Sequence, residues 1–255
     1  MTVKIFEVGG SIRDDALGVP TNDRDFVAVC SAGWKGLVQW ADENLDRIFL
    51  TTPEFFTIRG IKNKEIFDIV LARKDGAYSD GRHPDEVEPG TLDDDLARRD
   101  FTMNAIARCV ETGKLFDPFG GFSDIKGGLI RCVGDANDRI REDVLRIVRA
   151  MRFSVTKEGM VIDDELSRML RENMLVPPSE PHTWSAVSDL LGSVSRERIR
   201  EELLKMFSFD TFNASQFIFG RSGVNRRHAR VHPEITLALF GEENDIWLKP
   251  TMEKK

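Results

Sequence analysis

The first thirty residues alternate between apolar runs and dense charge, and this pattern restricts the fold. Residues 3–8 (VKIFEV) form a β-like run that ends at Gly9-Gly10, and the following SIRDDAL is typical of one or two helical turns. DFVAVC, which begins at Asp25, predicts a second strand. A strand, a glycine turn, a helix and a second strand indicate a domain that mixes helices with a sheet.

The rest of the chain divides into a sheet-forming part and a helical part. FFTIRG (55–60) and EIFDIVLAR (65–73) predict a third and a fourth strand, and from Leu92 onward the pattern becomes helical. REDVLRIVRAMRFSV (141–155) is the clearest helix, because its apolar residues recur at helical spacing. VPPSEPH (176–182) is a candidate linker. We expect a mixed α/β region to about Phe153, followed by helices.

Length, composition and charge limit the class of protein. The chain has 255 residues, of which 41% are hydrophobic and 31% charged, with a formal net charge of −7. No apolar run approaches the roughly 18 residues that a membrane span needs, and the first residues lack the pattern of a signal peptide. The three cysteines, Cys30, Cys109 and Cys132, form neither a disulfide framework nor a zinc motif. We therefore expect a cytoplasmic protein that does not bind membranes.

Asp23 and Asp25 are the first candidates for chemistry. Side chains two residues apart on a strand point to the same face, so both carboxylates can converge on one site. Neighbouring carboxylates repel each other unless a cation lies between them, and oxygen ligands of this kind favour Mg²⁺ together with substrate phosphates. Asp68, on the predicted fourth strand, is a third candidate. The alternatives are that Asp23 and Asp25 decorate a turn and that Asp68 lies on a solvated strand face.

The glycine pair is a candidate phosphate site. Gly9 and Gly10 lie between a strand and a helix start, where backbone N–H groups and the helix dipole favour an anion. Glycine allows a ligand to approach the backbone closely, and Arg13 follows within one helical turn. Asp14 and Asp15 have no predicted role. The pair alone is weak support for this reading, which gains from its proximity to Asp23 and Asp25.

Five blocks of this sequence resemble the class II tRNA nucleotidyltransferase and bacterial poly(A) polymerase family. They are VGGSIRDDALGVPTNDRDF, YSDGRHPDEVEPGTLDDDLARRDFTMNAIA, LFDPFGGFSDIKGGLIR, REDVLRIVRAMRF and SRERIREELLKMF. The resemblance spans roughly residues 3 to 207 in unbroken order. It implies an α+β fold: a polymerase-beta-like nucleotidyltransferase head with a small mixed sheet, then a helical neck and a short C-terminal helical extension.

The resemblance also implies roles for single residues. Asp23 and Asp25 hold the catalytic Mg²⁺ ions, and Asp68 supports them. The residues implied in nucleotide binding are Gly9, Gly10, Arg13, Arg99, Asp143, Arg146, Arg149 and Arg152. Asp100 and Asn104 fall in the same motif as Arg99.

The spacing of Asp143 and Arg146 agrees with a role in reading the base. Residues three apart lie on one face of a helix and can hydrogen-bond each other. A carboxylate only accepts and a guanidinium only donates, so the pair matches cytosine and adenine, which each present an amino donor and a ring acceptor. Uracil or guanine would leave buried groups unpaired, at about 1–3 kcal/mol per group. Without the other blocks, such a pair is a surface ion pair.

The resemblance implies three regions: a catalytic head over 1–138, a helical neck over 139–207 and a truncated, body-like extension over 208–255. The implied activity is addition or repair of the tRNA 3′-CCA end from CTP and ATP, with release of pyrophosphate. Poly(A)-type tailing, partial A or C addition, and an inactive nucleotide- or RNA-binding protein are the alternatives. A basic cluster around residues 221–230 can grip RNA phosphates or be a solvated turn, and an oligomer is one way to complete the RNA surface.

Overall fold

A computed structural model of the chain describes residues 2–21, 23–76, 87–168 and 194–214. The described residues up to Asp135 form one compact unit, and those from Ala136 onward form a second. The predicted boundary between residues 138 and 139 stays a prediction. The candidate linker at 176–182, the basic cluster at 221–230 and most of the extension over 208–255 lie outside the described residues.

Strands dominate the first unit. In chain order they are β1 (Val3–Val8), β2 (Asp25–Cys30), β3 (Arg47–Thr52), β4 (Thr57–Lys62), β5 (Glu65–Leu71), β6 (Arg73–Asp75), β7 (Val87–Pro89), β8 (Ala107–Cys109), β9 (Leu115–Phe116) and β10 (Leu129–Ile130). Within the described ranges, seven of them form one sheet in the order β3-β4-β5-β2-β1-β8-β9. The β2–β5 pair is parallel, whereas the other neighbours are antiparallel. This confirms the predicted mixed sheet.

Helices of the first unit cover the sheet and connect its strands. They are α1 (Gly10–Ala16), α2 (Gly33–Asn44), α3 (Leu92–Ala97) and α4 (Gly121–Gly127). Helix α3 begins at a capping box in which the Thr91 side chain accepts from the Asp94 N–H and the Asp94 carboxylate accepts from the Thr91 N–H. These reciprocal bonds satisfy N–H groups that a helix start leaves without partners.

The two faces of the sheet carry separate hydrophobic clusters. On β2, Phe26 and Ala28 join a cluster with Leu37 and Ala41 of α2. Val27 points the other way, into the cluster that includes residues of α3. Because side chains alternate along a strand, Asp25 lies on the Val27 side. The cores thus fix which face of β2 presents the carboxylate.

The second unit contains the helices α5 (Ala136–Glu142), α6 (Leu145–Thr156) and α7 (Arg196–Phe209) and the short strand β11 (Val161–Ile162). The predicted apolar stripe is buried, since Leu145, Val148 and Met151 are at most 5% exposed. Helix α6 packs on α7 within this unit. No helix of the described part of the chain is both long and apolar enough to cross a membrane.

Local structure departs from the predictions in four places. The strand β3 lies in a stretch that we did not predict as a strand. The predicted third strand FFTIRG is present as β4 but begins only at Thr57, because Pro53–Phe55 forms a 3₁₀ turn. The region after Leu92 is not uniformly helical, because β8, β9 and β10 fall within it. The predicted helix over 141–155 is interrupted at Asp143 and Val144, between α5 and α6, and the Asp143 side chain accepts the Leu145 N–H at 3.1 Å beside the break.

Candidate functional site

Two carboxylates lie side by side at one end of the parallel pair of strands, and a third precedes the first of these strands. In the β2–β5 ladder Asp25 lies directly opposite Asp68, so both side chains point to the same face of the sheet. Asp23 precedes β2 rather than opening it, because the pairing with β1 ends at Asp25 opposite Val8. The expectation of strand alternation for Asp23 is therefore wrong, although the residue still lies close enough to affect Asp25.

The environment of Asp25 disfavours a bare negative charge. Loss of surrounding water raises the pKa of Asp25, and repulsion from Asp23 and, less strongly, from Asp68 raises it further. Arg99 and Arg59 act in the opposite direction. Carboxylates that lie close together despite their mutual repulsion are typical of a site that binds a cation.

Arg59 forms an ion pair with Asp68 that the sequence analysis did not identify. The two residues face each other across the β4–β5 ladder, and Arg59 donates from Nε to Asp68 Oδ2 at 2.9 Å and from Nη2 to the same oxygen. Arg59, Asp68 and Asp25 thus lie in one row across three neighbouring strands. Within the described residues, no group of three His, Cys, Asp or Glu side chains is arranged to hold a metal ion. Two carboxylates fit Mg²⁺ nonetheless, since it is usually bound by one or two protein carboxylates together with substrate phosphates.

The glycine turn packs directly against an arginine. Gly9 precedes α1 with φ of 77° and ψ of −126°, a conformation that favours glycine, and its N–H donates to the Ile106 carbonyl at 3.1 Å. A Cβ at Gly9 would lie 2.8 Å from Arg99 Nη1, and a Cβ at Gly10 would lie 3.4 Å from Arg13 Nη2. Both predicted arginines therefore contact the backbone of the predicted phosphate turn.

Arg13 is buried, and Asp14 and Asn104 hold its guanidinium group. Its Nε and Nη2 atoms donate to the two oxygens of Asp14 at 2.9 and 3.0 Å. Its Nη1 donates to Asn104 Oδ1 at 2.6 Å, while Asn104 donates from Nδ2 to Asp100 at 2.9 Å. The motif residues Asp100 and Asn104 thus position Arg13, and Asp14, which had no predicted role, does the same.

Arg99 is oriented by a fully buried carboxylate. Asp95 accepts from Arg99 at 3.0 Å and from Arg98 at 2.5 Å. Burial by itself would raise the pKa of Asp95, but the charges of Arg99 and Arg98 outweigh it and hold that pKa below its usual range. A permanently ionised Asp95 keeps the Arg99 guanidinium over Gly9.

Glu7 is a buried acid on β1 that sequence patterns did not single out. It accepts from Arg24 at 2.7 and 2.9 Å and from Arg108 at 2.8 Å, and Arg108 also binds Asp15 at 2.8 Å. Burial acts to raise the pKa of Glu7, but the bonds from Arg24 and Arg108 lower it to about 2. Because Arg24 lies between Asp23 and Asp25 in the chain, this network anchors the backbone that carries both aspartates.

In the second unit, the two residues expected to read the base have separate partners. The Asp143 carboxylate accepts the Leu145 N–H and is paired with Arg198 of α7 at 3.4 Å. Arg146 is buried and donates from Nη1 to Glu142 at 2.9 Å and to the Arg139 carbonyl at 2.8 Å. The three-residue spacing of Asp143 and Arg146 could not reveal that Arg198 binds the first of them and Glu142 the second.

Arg149 and Arg152 converge on one buried acid of α7. Glu202 is paired with Arg152 Nε at 2.5 Å and with Arg149 Nη1 at 3.6 Å. Lys205, one turn further along α7, adds a third contact at 3.4 Å. Glu202 therefore fixes the direction of two of the arginines that were predicted at the nucleotide.

Comparison with known proteins identifies the family. Residues 5–131 match the poly A polymerase head domain. A CCA-adding enzyme of Ligilactobacillus salivarius is 35% identical over 203 residues, which cover 78% of this chain and 44% of that protein. The chain thus spans less than half of the length of that relative.

Solved structures agree with the sequence relatives. The Bacillus stearothermophilus CCA-adding enzyme in complex with CTP superimposes with a TM-score of 0.68 at 29% identity, covering 85% of this chain and 48% of that one. The Thermotoga maritima CCA-adding enzyme complexed with tRNA-CCA gives a TM-score of 0.62 at 25% identity, with the same coverage. The head fold, the ordered motifs and these relatives together show that the chain belongs to the class II tRNA nucleotidyltransferase and bacterial poly(A) polymerase family.

Proposed function

We propose that the chain is a template-independent RNA nucleotidyltransferase that adds or repairs the 3′-CCA end of tRNA. It uses CTP and ATP in the cytoplasm and releases pyrophosphate. The relatives named above are CCA-adding enzymes, and two of them are known in complex with CTP or tRNA-CCA. The observation that carries the proposal is the parallel register of Asp25 and Asp68 beside Asp23, with Arg99 packed over Gly9.

Nucleotidyltransferases of this family use a divalent metal ion, and we propose Mg²⁺ held by Asp23 and Asp25. When bound, it supplies charge stabilisation for the attacking and leaving oxygens of a phosphoryl transfer. The RNA 3′-hydroxyl forms a bond to the α-phosphorus while the bond to the β-phosphate oxygen breaks. The role of the protein is to position both reactants and to offset developing charge.

The triphosphate is the ligand that we assign to Gly9, Gly10, Arg13 and Arg99. Arg99 and Arg13 bring two guanidinium groups against the glycine backbone, and guanidinium groups bind phosphate with short, charge-assisted hydrogen bonds. The buried Asp95 and the partly buried Asp14 hold these guanidinium groups in place before a nucleotide binds. Such preorganisation reduces the entropy lost on binding.

For the second unit we assign Asp143 and Arg146 to the base and Arg149 and Arg152 to the rest of the nucleotide. Asp143 offers acceptors and Arg146 offers donors, which complement the Watson–Crick edges of cytosine and adenine. If this is correct, Arg146→Ala blurs the choice of nucleotide more than it lowers total incorporation.

In the direct test, the protein is incubated with tRNA transcripts that lack zero, one, two or three 3′ nucleotides. Each labelled nucleoside triphosphate is added in turn, and its incorporation is measured. Incorporation of C, C and then A is the expected result. Long A tracts would instead assign a poly(A)-type activity, and addition of one kind of nucleotide only would assign a partial enzyme. Absence of incorporation on every transcript would contradict the proposal and favour a nucleotide- or RNA-binding protein.

Substitution of a proposed metal ligand tests the chemistry itself. Asp25→Asn removes one charge without changing the size of the side chain. We expect incorporation to fall by more than about 100-fold, because even residues that only orient a metal ligand are worth about 10- to 100-fold. Asp93→Asn, an exposed acid in the first turn of α3, is the control and should keep wild-type activity. Near-full activity of Asp25→Asn would remove Asp25 from the metal site.

A further inference from the structure

A groove borders the carboxylates within the first unit and has no role in the reaction as described so far. Its volume is about 800 Å³, within the roughly 300–1,000 Å³ of typical ligand pockets. Asp23 and Asp68 line it at the carboxylate end. The remaining walls combine arginines, Arg24 and Arg59, with apolar side chains, Phe49, Ile66, Phe26 and Phe67.

Two of these apolar side chains are exposed to solvent instead of being packed in a hydrophobic cluster. Ile66 is 64% exposed and lies two residues before Asp68 on β5, hence on the same face of the strand. Phe49 is 46% exposed and is the extra residue of a β-bulge, because Ile48 pairs with Gly60 and Leu50 pairs with Arg59. Bulges redirect side chains and are frequent beside active sites. The local backbone thus presents Phe49 to the groove.

The groove also contains two guanidinium groups, one of which lies beside an aromatic ring. Arg24 and Arg59 are each about half exposed, and their ion pairs with Glu7 and Asp68 use Nε and Nη2. In the described part of the chain, no hydrogen bond engages Nη1 of either residue, so each of these groove-lining arginines retains donors beyond those in its ion pair. Arg24 lies 5.7 Å from the centre of the Phe26 ring.

Apolar surface next to guanidinium donors suits a ligand that is half apolar and half anionic. A nucleotide within a single-stranded RNA has this composition, since its base stacks on apolar or aromatic side chains and its phosphate binds arginine. An apolar peptide would not use the arginines. Glu65 also lines the groove and would repel a phosphate, which confines the phosphate to the neighbourhood of Arg59 and Arg24.

We propose that this groove binds the 3′-terminal nucleotide of the RNA acceptor. Its base contacts Phe49 and Ile66, its phosphate lies toward Arg59, and its 3′-hydroxyl points toward Asp23. The inference rests on the proposed nucleotidyl transfer, which requires the acceptor hydroxyl beside the carboxylates. It adds the residues of this chain that hold the acceptor, which the sequence motifs did not identify.

The test measures binding of two fluorescent RNA 10-mers that differ only at the 3′ end, one terminating in cytidine and the other in an abasic nucleotide. The full chain is used as wild type, as the double variant Phe49→Ala/Ile66→Ala, and as Leu115→Ala, which removes an equally exposed side chain on β9. No nucleoside triphosphate is added. We expect wild type and Leu115→Ala to prefer the cytidine end by about tenfold, within the range that stacking of one base contributes.

The double variant should bind both RNAs equally, as weakly as wild type binds the abasic RNA. This loss of discrimination measures the contact itself, because a general structural defect would weaken both RNAs and keep their ratio. Wild type that does not distinguish the two ends, or a double variant that still does, overturns the proposal and leaves the groove to another class of partner. RNA that fails to bind wild type overturns it as well.

A second measurement separates this inference from the proposed function. In the incorporation assay, the double variant should raise KM for RNA about tenfold and leave KM for CTP unchanged. If wild type adds nucleotides but the double variant keeps the wild-type KM for RNA, the groove assignment fails and the function stands. If end discrimination depends on Phe49 and Ile66 but no transcript is extended, the function fails and the groove is still an RNA site.

Discussion

Glu7 illustrates how one buried residue organises the surroundings of the carboxylates. It is an acid inside the sheet, where an unpaired charge would be strongly unfavourable, and it is compensated by Arg24 and Arg108. Arg24 connects Glu7 to the segment that holds Asp23 and Asp25. The same arginine lines the acceptor groove, so the network links the metal-binding and RNA-binding proposals.

Glu7→Gln should destabilise the protein in a pH-dependent way. The folded-state pKa of Glu7 is about 2, below the ordinary 4.5, so ionised Glu7 stabilises the fold above about pH 4.5, and this contribution is lost as the pH falls toward 2. The pKa difference corresponds to about 3 kcal/mol. Urea unfolding at pH 7 should show a deficit of this order, which shrinks at pH 3. The exposed Glu54→Gln should show no deficit, and a deficit that is constant with pH would contradict the argument.

Gly9 and Gly18 form a matched pair at the two ends of α1. Both have positive φ, 77° and 71°, but only Gly9 has a neighbour where a Cβ would stand, Arg99 at 2.8 Å, whereas nothing lies within 4 Å at Gly18. Alanine at Gly18 costs about 1–2 kcal/mol of backbone strain. Gly9, with ψ of −126°, lies outside the left-handed helical region, and alanine there is at least as unfavourable. Gly9→Ala should in addition displace Arg99.

We therefore expect Gly9→Ala to raise KM for CTP by at least about tenfold, the effect of losing one charge-assisted hydrogen bond of about 1.5 kcal/mol. Gly18→Ala should leave that KM unchanged, although it also lowers stability. Steady-state kinetics and urea unfolding of both variants provide the comparison. Equal values of KM for the two variants would remove Arg99 from the triphosphate site.

At the scale of single residues, spacing along the chain identified some residues of the candidate site and missed others. The carboxylates Asp23, Asp25 and Asp68 were identifiable because each lies at a strand in a recognisable motif. Arg59 and Glu7 were not, because their partners lie 9 and 17 residues or more away in the chain and are brought close by strand pairing. A glutamate within a strand is ordinarily exposed, so only the fold reveals that Glu7 is buried.

At the level of elements, charge as well as apolar packing connects α6 and α7. The apolar stripe of α6 was readable from its period, and it is buried as predicted. The contacts of Glu202 with Arg149 and Arg152 could not be predicted from spacing, since Glu202 follows these arginines by about 50 residues in the sequence. The break at Asp143 and Val144 was missed because a helical sequence pattern continues on both sides of it.

Glu202→Gln should loosen this pair of helices. Removing one partner of a buried ion pair costs about 3–5 kcal/mol, and because Arg149 remains partly exposed we expect the lower end. Glu201→Gln is the control, since the preceding residue is exposed on the same helix and should change stability by less than about 0.5 kcal/mol. Circular dichroism during urea unfolding measures both. Equal effects of the two substitutions would contradict a structural role for Glu202.

The order and direction of the strands in the sheet could not be predicted from the individual strands. The strands β1, β2 and β5 were predicted from composition, but their order and the single parallel pair were not. Parallel pairing of β2 with β5 needs a crossover, and here α2 and two strands lie between them in the chain. It is this crossover that aligns Asp25 with Asp68, so the row of Arg59, Asp68 and Asp25 depends on a long-range feature.

At the level of the whole molecule, the first unit contains both hydrophobic clusters on the two faces of its sheet. It also contains Asp23, Asp25, Asp68 and the glycine turn, whereas the residues proposed to read the base belong to the second unit. A division of this kind predicts that folding and base selection can be separated, because a unit with its own core can fold alone.

A fragment of residues 1–138 should therefore unfold in one cooperative transition and respond to Glu7→Gln as the full chain does. Its core residues all lie within the fragment, so the free energy that Glu7 contributes should be unchanged, to within the roughly 0.5 kcal/mol that independent sites allow. The full chain should add a second transition that Glu202→Gln shifts and Glu7→Gln does not. Urea unfolding followed by circular dichroism distinguishes the two arrangements. A fragment that does not fold, or a full chain in which both substitutions shift one shared transition, would show that the two units are stable only together.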